Sequence, residues 1–162
     1  MSAFAELQAR YMSYEAAATI QHGLLTKAAS EIVSGFESFL GLAGKRLPDV
    51  DGQKGHRYVR LGIGAPSEFK EINWHTLSSR GGVVSFSLAL TLDDPASISR
   101  STIVFELEVK FVEHGYEFKV KDLDTFTISA PDAVHKRYEK IYEGLFNRIM
   151  KVYDPDRILI KN

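Results

Sequence analysis

Apolar side chains recur three or four positions apart through the first 42 residues: Phe4, Leu7, Tyr11, Tyr14 and Ala18, then Leu25, Ala28, Ile32, Phe36 and Phe39. That period predicts helix. One unbroken helix of this length would run ~60 Å at ~1.5 Å per residue, whereas a compact chain of this size has a radius of gyration of only ~15 Å. Either the helix projects from the body or it breaks. His22-Gly23 is the natural break, because glycine is favoured just past a helix end, and Gln21 interrupts the stripe there. Two helices are the preferred expectation, and a continuous projecting helix that dimerises is the alternative. Gly41 and Gly44 close the segment.

From Arg57 onward the period becomes two. Val84, Phe86, Leu88, Leu90 and Leu92 alternate with small or polar residues, as do Ile103, Phe105, Leu107, Val109 and Phe111 with Glu106, Glu108 and Lys110. This is the signature of strands with one buried face. Tyr116, Phe118 and Val120 follow after His114-Gly115, which predicts a two-residue hairpin loop needing positive φ. Pairing Glu113 with Tyr116 sets Phe111 opposite Phe118, Val109 opposite Val120 and Glu108 opposite Lys121. Arg57 to Ile63 and Lys70 to Leu77 read as two earlier strands, and Asp93-Asp94-Pro95 as a turn. After Lys121-Asp122 a bulge or bend is expected to bring Leu123, Phe126 and Ile128 inward.

Ser129 with Asp132 fits a capping box, and Pro131 suits a first helical turn. Val134, Tyr138, Ile141, Leu145, Ile149 and Val152 form the stripe of a closing helix, widened by Tyr142 and Phe146. Asp154-Pro155 stops it, and the apolar tail Ile158-Leu159-Ile160 is expected to dock or add an edge strand. The expected fold is α+β: a two-layer sandwich with an N-terminal helix or helix pair, an antiparallel four- to five-stranded meander and a C-terminal helix, all helices on one sheet face. It forms one domain over residues 1–162, with 1–44 helical, 57–128 sheet, 130–153 helix and 154–162 tail.

Composition narrows the function classes. The 162 residues are 44% hydrophobic and contain no cysteine, which excludes a disulfide framework, a thiolate metal site, a cysteine nucleophile and a redox motif together. Twenty basic against 21 acidic residues supply no global field toward nucleic acid or anionic lipid. The one basic segment, Lys45 to Arg60, is diluted by Asp49 and Asp51 and carries no aromatic residue before Tyr58, so nucleic acid is not an expected partner. No apolar run reaches the ~18–20 residues of a membrane span and no signal-peptide pattern opens the chain, so a soluble cytoplasmic protein without a membrane partner is expected.

No motif names a chemistry. The five histidines show no zinc spacing, no serine lies on a nucleophile elbow, and Gly62-Ile63-Gly64 lacks the rest of a phosphate loop. Glu106 and Glu108 read as a solvent-facing charge ladder rather than a catalytic pair. No cofactor, metal or catalytic residue is assigned. Two candidate sites remain. Ser78, Ser79 and Arg80, with His75, could wrap an anionic or nucleotide-like ligand in a glycine-rich loop. Tyr58, Trp74 and Tyr153, with Arg57 and Arg60, are candidates for a partner-binding surface, since aromatic residues and arginine anchor interfaces.

The preferred reading is a non-catalytic protein-binding module, such as an immunity or antitoxin-type inhibitor, a chaperone-like adaptor or an accessory subunit, with a homodimer through the N-terminal helix as one form. The alternatives are a small-molecule binder using the Ser78–Gly82 loop and a phosphoesterase-type hydrolase using His56 and His75.

Overall fold

The computed structural model describes residues 2–49 and 55–159. Asp51 and Lys54 of the basic connector and Ile160 of the tail lie outside the described residues. A single helix α1 (Ala3–Phe39) leads into strands β1 (Val59–Ile63), β2 (Lys70–Glu71), β3 (Ser79–Arg80), β4 (Val83–Asp93), β5 (Arg100–Val112), β6 (Gly115–Val120) and β7 (Asp124–Ser129). Helices α2 (Ala130–Val134) and α3 (Glu139–Val152) close the order. The strands form one antiparallel sheet in the order β2-β1-β4-β5-β6-β7, with β3 paired to the start of β4. The layout is the expected α+β arrangement. The sheet has seven strands rather than four or five, because β2 and β3 are two-residue pieces too short to show a period.

Alternation decides which face is the core. Val84, Phe86, Leu88 and Leu90 of β4 oppose Val109, Leu107, Phe105 and Ile103 of β5, and Phe118 and Val120 of β6 continue the rows. Onto this face α1 packs Leu25, Ala28, Ala29, Ile32, Val33 and Phe36, while α3 packs Ile141, Tyr142, Leu145 and Ile149. The other face carries the charge ladder, in which Lys121 meets Glu106 at 3.3 Å and Lys110 meets Glu117 at 3.9 Å. The β1–β2 connection folds onto that outer face, where the Ser87 hydroxyl donates to the Gly64 carbonyl at 2.7 Å.

Five expectations are corrected. Helix α1 does not break at His22-Gly23 but runs 37 residues, ~55 Å. An interior glycine costs only ~1 kcal/mol relative to alanine, and Thr26 Oγ1 donates to the His22 and Gly23 carbonyls, which ties the backbone there. The β5–β6 hairpin pairs Val112 with Gly115, Phe111 with Tyr116, Val109 with Phe118 and Glu108 with Lys119, two residues out of the expected register. A slip of two keeps every side chain on its face, so the hydrophobic pattern does not detect it. His114 does take the positive φ, 66°, but Gly115 belongs to the strand, pressed against the Ile128 backbone.

The span read as one strand, Lys70 to Leu77, keeps only β2; Trp74–Thr76 is a 3-10 turn capped by the Asn73 side chain. The closing helix is divided. Ser129 caps α2 as expected, its hydroxyl accepting from Asp132 N–H, but the chain turns at Lys136 with φ 55°. The turn leaves Val134 exposed and carries Tyr138 into the core, edge-on to Phe118 at 5.6 Å. Beyond α3, Ile158 and Leu159 neither dock nor pair; both stay exposed.

Candidate functional site

The N-terminal half of α1 stands clear of the body. Ser2 opens the helix, its hydroxyl accepting from Ala5 N–H at 3.1 Å, and Glu6 lies in the first turn where a negative charge suits the helix dipole. Alanine at positions 3, 5, 9, 16, 17 and 18 supplies high helix propensity. Docking of the C-terminal half provides the nucleus, so each further residue adds a hydrogen bond without a new nucleation cost. The first buried side chain is Leu25. Upstream of it Phe4 and Leu7 are each 68% exposed, Tyr11 63% and Tyr14 67%.

These four residues share a face. At ~100° per residue, positions 4, 7, 11, 14 and 18 fall within ~40° of one line along the helix, and positions 25, 32 and 36 continue that line onto the sheet. The stripe that forms the core therefore extends past the body. Its four large side chains leave roughly 500–600 Å² of contiguous, mostly apolar surface, at the upper end of what monomeric proteins expose.

The base of the projection is held by the β3–β4 turn. His22 Nδ1 and the Ser79 hydroxyl form a hydrogen bond, and Gly82 lies beside the Gln21 side chain. Gly81 and Gly82, at φ 59° and 77°, supply the left-handed backbone this turn requires. The loop considered for an anionic ligand thus braces the helix. Ser78, Ser79 and Arg80 are all exposed, and His75 lies against Trp74 with ring centroids 3.6 Å apart and the planes tilted by 33°.

Arg57, Arg60 and Trp74 are brought together. They line a groove of about 210 Å³ between the sheet edge and one flank of α1, where Ser30, Ser34 and Glu37 face them. The Arg60 guanidinium lies over the Phe69 ring at 5.2 Å and reaches Glu71 at 4.0 Å, while its buried Nε has no partner. Tyr58 and Tyr153 serve elsewhere. Burial, then the neighbouring Asp93 carboxylate, raises the Tyr58 phenol above its ordinary range. The Tyr153 hydroxyl bonds Ser101 at 2.7 Å, tying the end of α3 to β5. His56 has its carbonyl bonded to Leu47 N–H, and among the described residues no hydrogen bond joins it to His75.

A wider groove of about 440 Å³ crosses the outer sheet face, lined by Ser85, Ser87, Glu106, Glu108, Lys119 and Lys121. A third, about 280 Å³, lies on the other flank of α1, where Tyr138 donates to Glu31 Oε2 at 3.3 Å. Among the described residues no group of three or more histidines and carboxylates is placed to hold a metal ion, and no helix is long and apolar enough to cross a membrane.

Sequence reasoning read the N-terminal stripe first as core, with a projecting, dimerising helix as the alternative, and sought its interface aromatics off the stripes. The signal that separates Phe4, Leu7, Tyr11 and Tyr14 from core residues is length: a helix of ~55 Å overruns a body of ~15 Å radius of gyration. The chain matches no protein-family model, no curated protein and no solved structure.

Proposed function

We propose that the chain is a non-catalytic protein-binding module whose docking element is the projecting half of α1. The observation that carries this reading is the exposure of four large side chains on the face that, one turn beyond His22, forms the hydrophobic core. Water contact over that much apolar surface is unfavourable by roughly 25 cal/mol per Å², and a partner that covers it recovers this free energy. A preformed helix loses little conformational entropy on binding, and helix-in-groove or helix-on-helix contact is read through i, i+3, i+4 and i+7 anchors. An inhibitor, an adaptor and an accessory subunit all work this way, as does a homodimer joined through the same helix. The cytoplasmic setting expected from the sequence belongs to this proposal.

Native mass spectrometry on protein purified gently from its own source tests the reading. A second macromolecule on the wild-type chain, lost in Leu7→Glu and Tyr11→Glu, is the expected result. A bare monomer mass for wild type and variants alike would contradict it.

A further inference from the structure

We infer that the occupant of the projecting face is a second copy of this chain, its helix running antiparallel. The inference rests on the docking role proposed above and adds the partner's identity and direction.

Three observations lead there. The first is periodicity. Positions 4, 11, 18, 25 and 32 and positions 7, 14, 21 and 28 repeat every seven residues, the spacing of a two-helix seam. The second is area. The free stripe offers roughly 500–600 Å² per copy, so two copies bury about 1,000–1,200 Å², the lower bound for a specific interface.

The third is steric, and it sets the direction. The free stripe and the sheet-packed stripe face the same way, so a helix lying on residues 4–18 lies on the side of the body. It is stopped near Gln21 and His22 by the β3–β4 turn, which sits against both residues. In a parallel pair the two-fold axis would run along the stripe and both bodies would claim the same space. In an antiparallel pair the bodies stand at opposite ends, and each helix fills the length the other leaves free.

The register follows from that stop. Placing Phe4 against the partner's Gln21 sets Leu7 opposite the partner's Ala18 and Tyr11 opposite the partner's Tyr14. Large then meets small at Leu7 and Ala18, as interdigitating seams require. Arg10 and Glu15 could pair across a parallel seam instead, twice by symmetry, but two exposed ion pairs contribute little and do not offset overlapping bodies.

Single cysteines report the arrangement cleanly in a chain that has none of its own. Light scattering after size exclusion should give a dimer for wild type, with Tyr11→Glu weakening dimerisation by more than about tenfold and leaving the far-ultraviolet spectrum of the body unchanged. Leu7→Cys mixed with Ala18→Cys should then cross-link on mild oxidation, while Ala18→Cys alone should not. Ala18→Cys changes side-chain volume little, so its failure to self-link is not a loss of packing. Self-linking of Ala18→Cys would overturn the antiparallel arrangement. A monomer at all concentrations would overturn the second copy altogether, and the proposed docking role would still stand or fall on the native mass of the protein from its source.

Discussion

The hydroxyl of Tyr142, on α3, occupies the space that a β-carbon on Gly35 of α1 would fill. The two helices approach closely at this point, and the hydroxyl goes on to donate to the Glu31 carbonyl at 3.4 Å, one turn back along α1. Phe36 and Phe39 flank the same ring, with centroids 5.8 and 5.6 Å away. A glycine in the middle of a helix, unfavourable by ~1 kcal/mol locally, is here the condition for interhelical packing.

Gly35→Ala should therefore destabilise the fold by about 1–3 kcal/mol through overpacking, although alanine is the better helix former. Urea denaturation followed by far-ultraviolet circular dichroism measures this. Tyr142→Phe added to Gly35→Ala should recover part of the loss, because the closest clash is with the hydroxyl. An alanine variant as stable as wild type would mean the helices separate freely there.

Alkaline pH should weaken the fold. Burial first, then the charges of Glu31 and Glu139, holds the Tyr142 phenol well above its ordinary range near 10. Burial, then Glu31 as both charge and hydrogen-bond acceptor, does the same for Tyr138. Below pH 10 both phenols are protonated in folded and unfolded chains, and they contribute no pH dependence. Above it the unfolded chain ionises first, so stability falls as pH rises. Unfolding free energies measured from neutral pH to beyond pH 10 should show a decline that is shallower in Tyr138→Phe and Tyr142→Phe than in wild type.

The two halves of α1 should respond differently to the same chemistry. Ile32→Ala removes a fully buried side chain and should cost about 2–5 kcal/mol. Leu7→Ala, on the same stripe but 68% exposed, should change the stability of the dilute monomer by less than about 0.5 kcal/mol. Chemical denaturation at low protein concentration separates the two, and a large loss for Leu7→Ala would place its partner within the chain itself.

Gly115→Ala tests the observed hairpin. A β-carbon there would collide with the Ile128 backbone carbonyl, which yields less easily than a side-chain end. A loss of about 1–3 kcal/mol is expected. With His114 at φ 66°, His114→Gly should be neutral or mildly stabilising in the same melts.

Much of the architecture was legible because it rests on periodicity. The alternation from Val84 to Leu90 and from Ile103 to Phe111 identified β4, β5 and their buried face, although Leu92 at the end of the same row is exposed, and Ser129 with Asp132 located the start of α2. The misreadings concern features to which period is blind. A slip of two residues preserves the faces of β5 and β6, and the observed register sets Gly115 where the β7 backbone leaves no room for a side chain. The turn at Lys136 answers to the contact of Tyr138 with Phe118 and Glu31, residues distant in the chain. For the site the difficulty is of another kind. A stripe of Phe4, Leu7, Tyr11 and Tyr14 has the same composition whether it meets its own sheet or another molecule. Arg57, Arg60 and Trp74 were singled out by residue type and do share a groove, whereas Tyr58 and Tyr153 lie outside it, Tyr153 bonded to Ser101.

Hydrogen exchange of the α1 amides, read by mass spectrometry from low to high micromolar concentration, tests the central claim most directly. Amides within 25–36 should be protected throughout, since their helix is part of the core. Those within 3–20 should exchange faster than 25–36 in dilute protein, as an undocked helix does, and gain protection as concentration rises, because a second copy then covers the stripe. Fast exchange over 3–20 at every concentration would contradict a second copy as the occupant of the stripe.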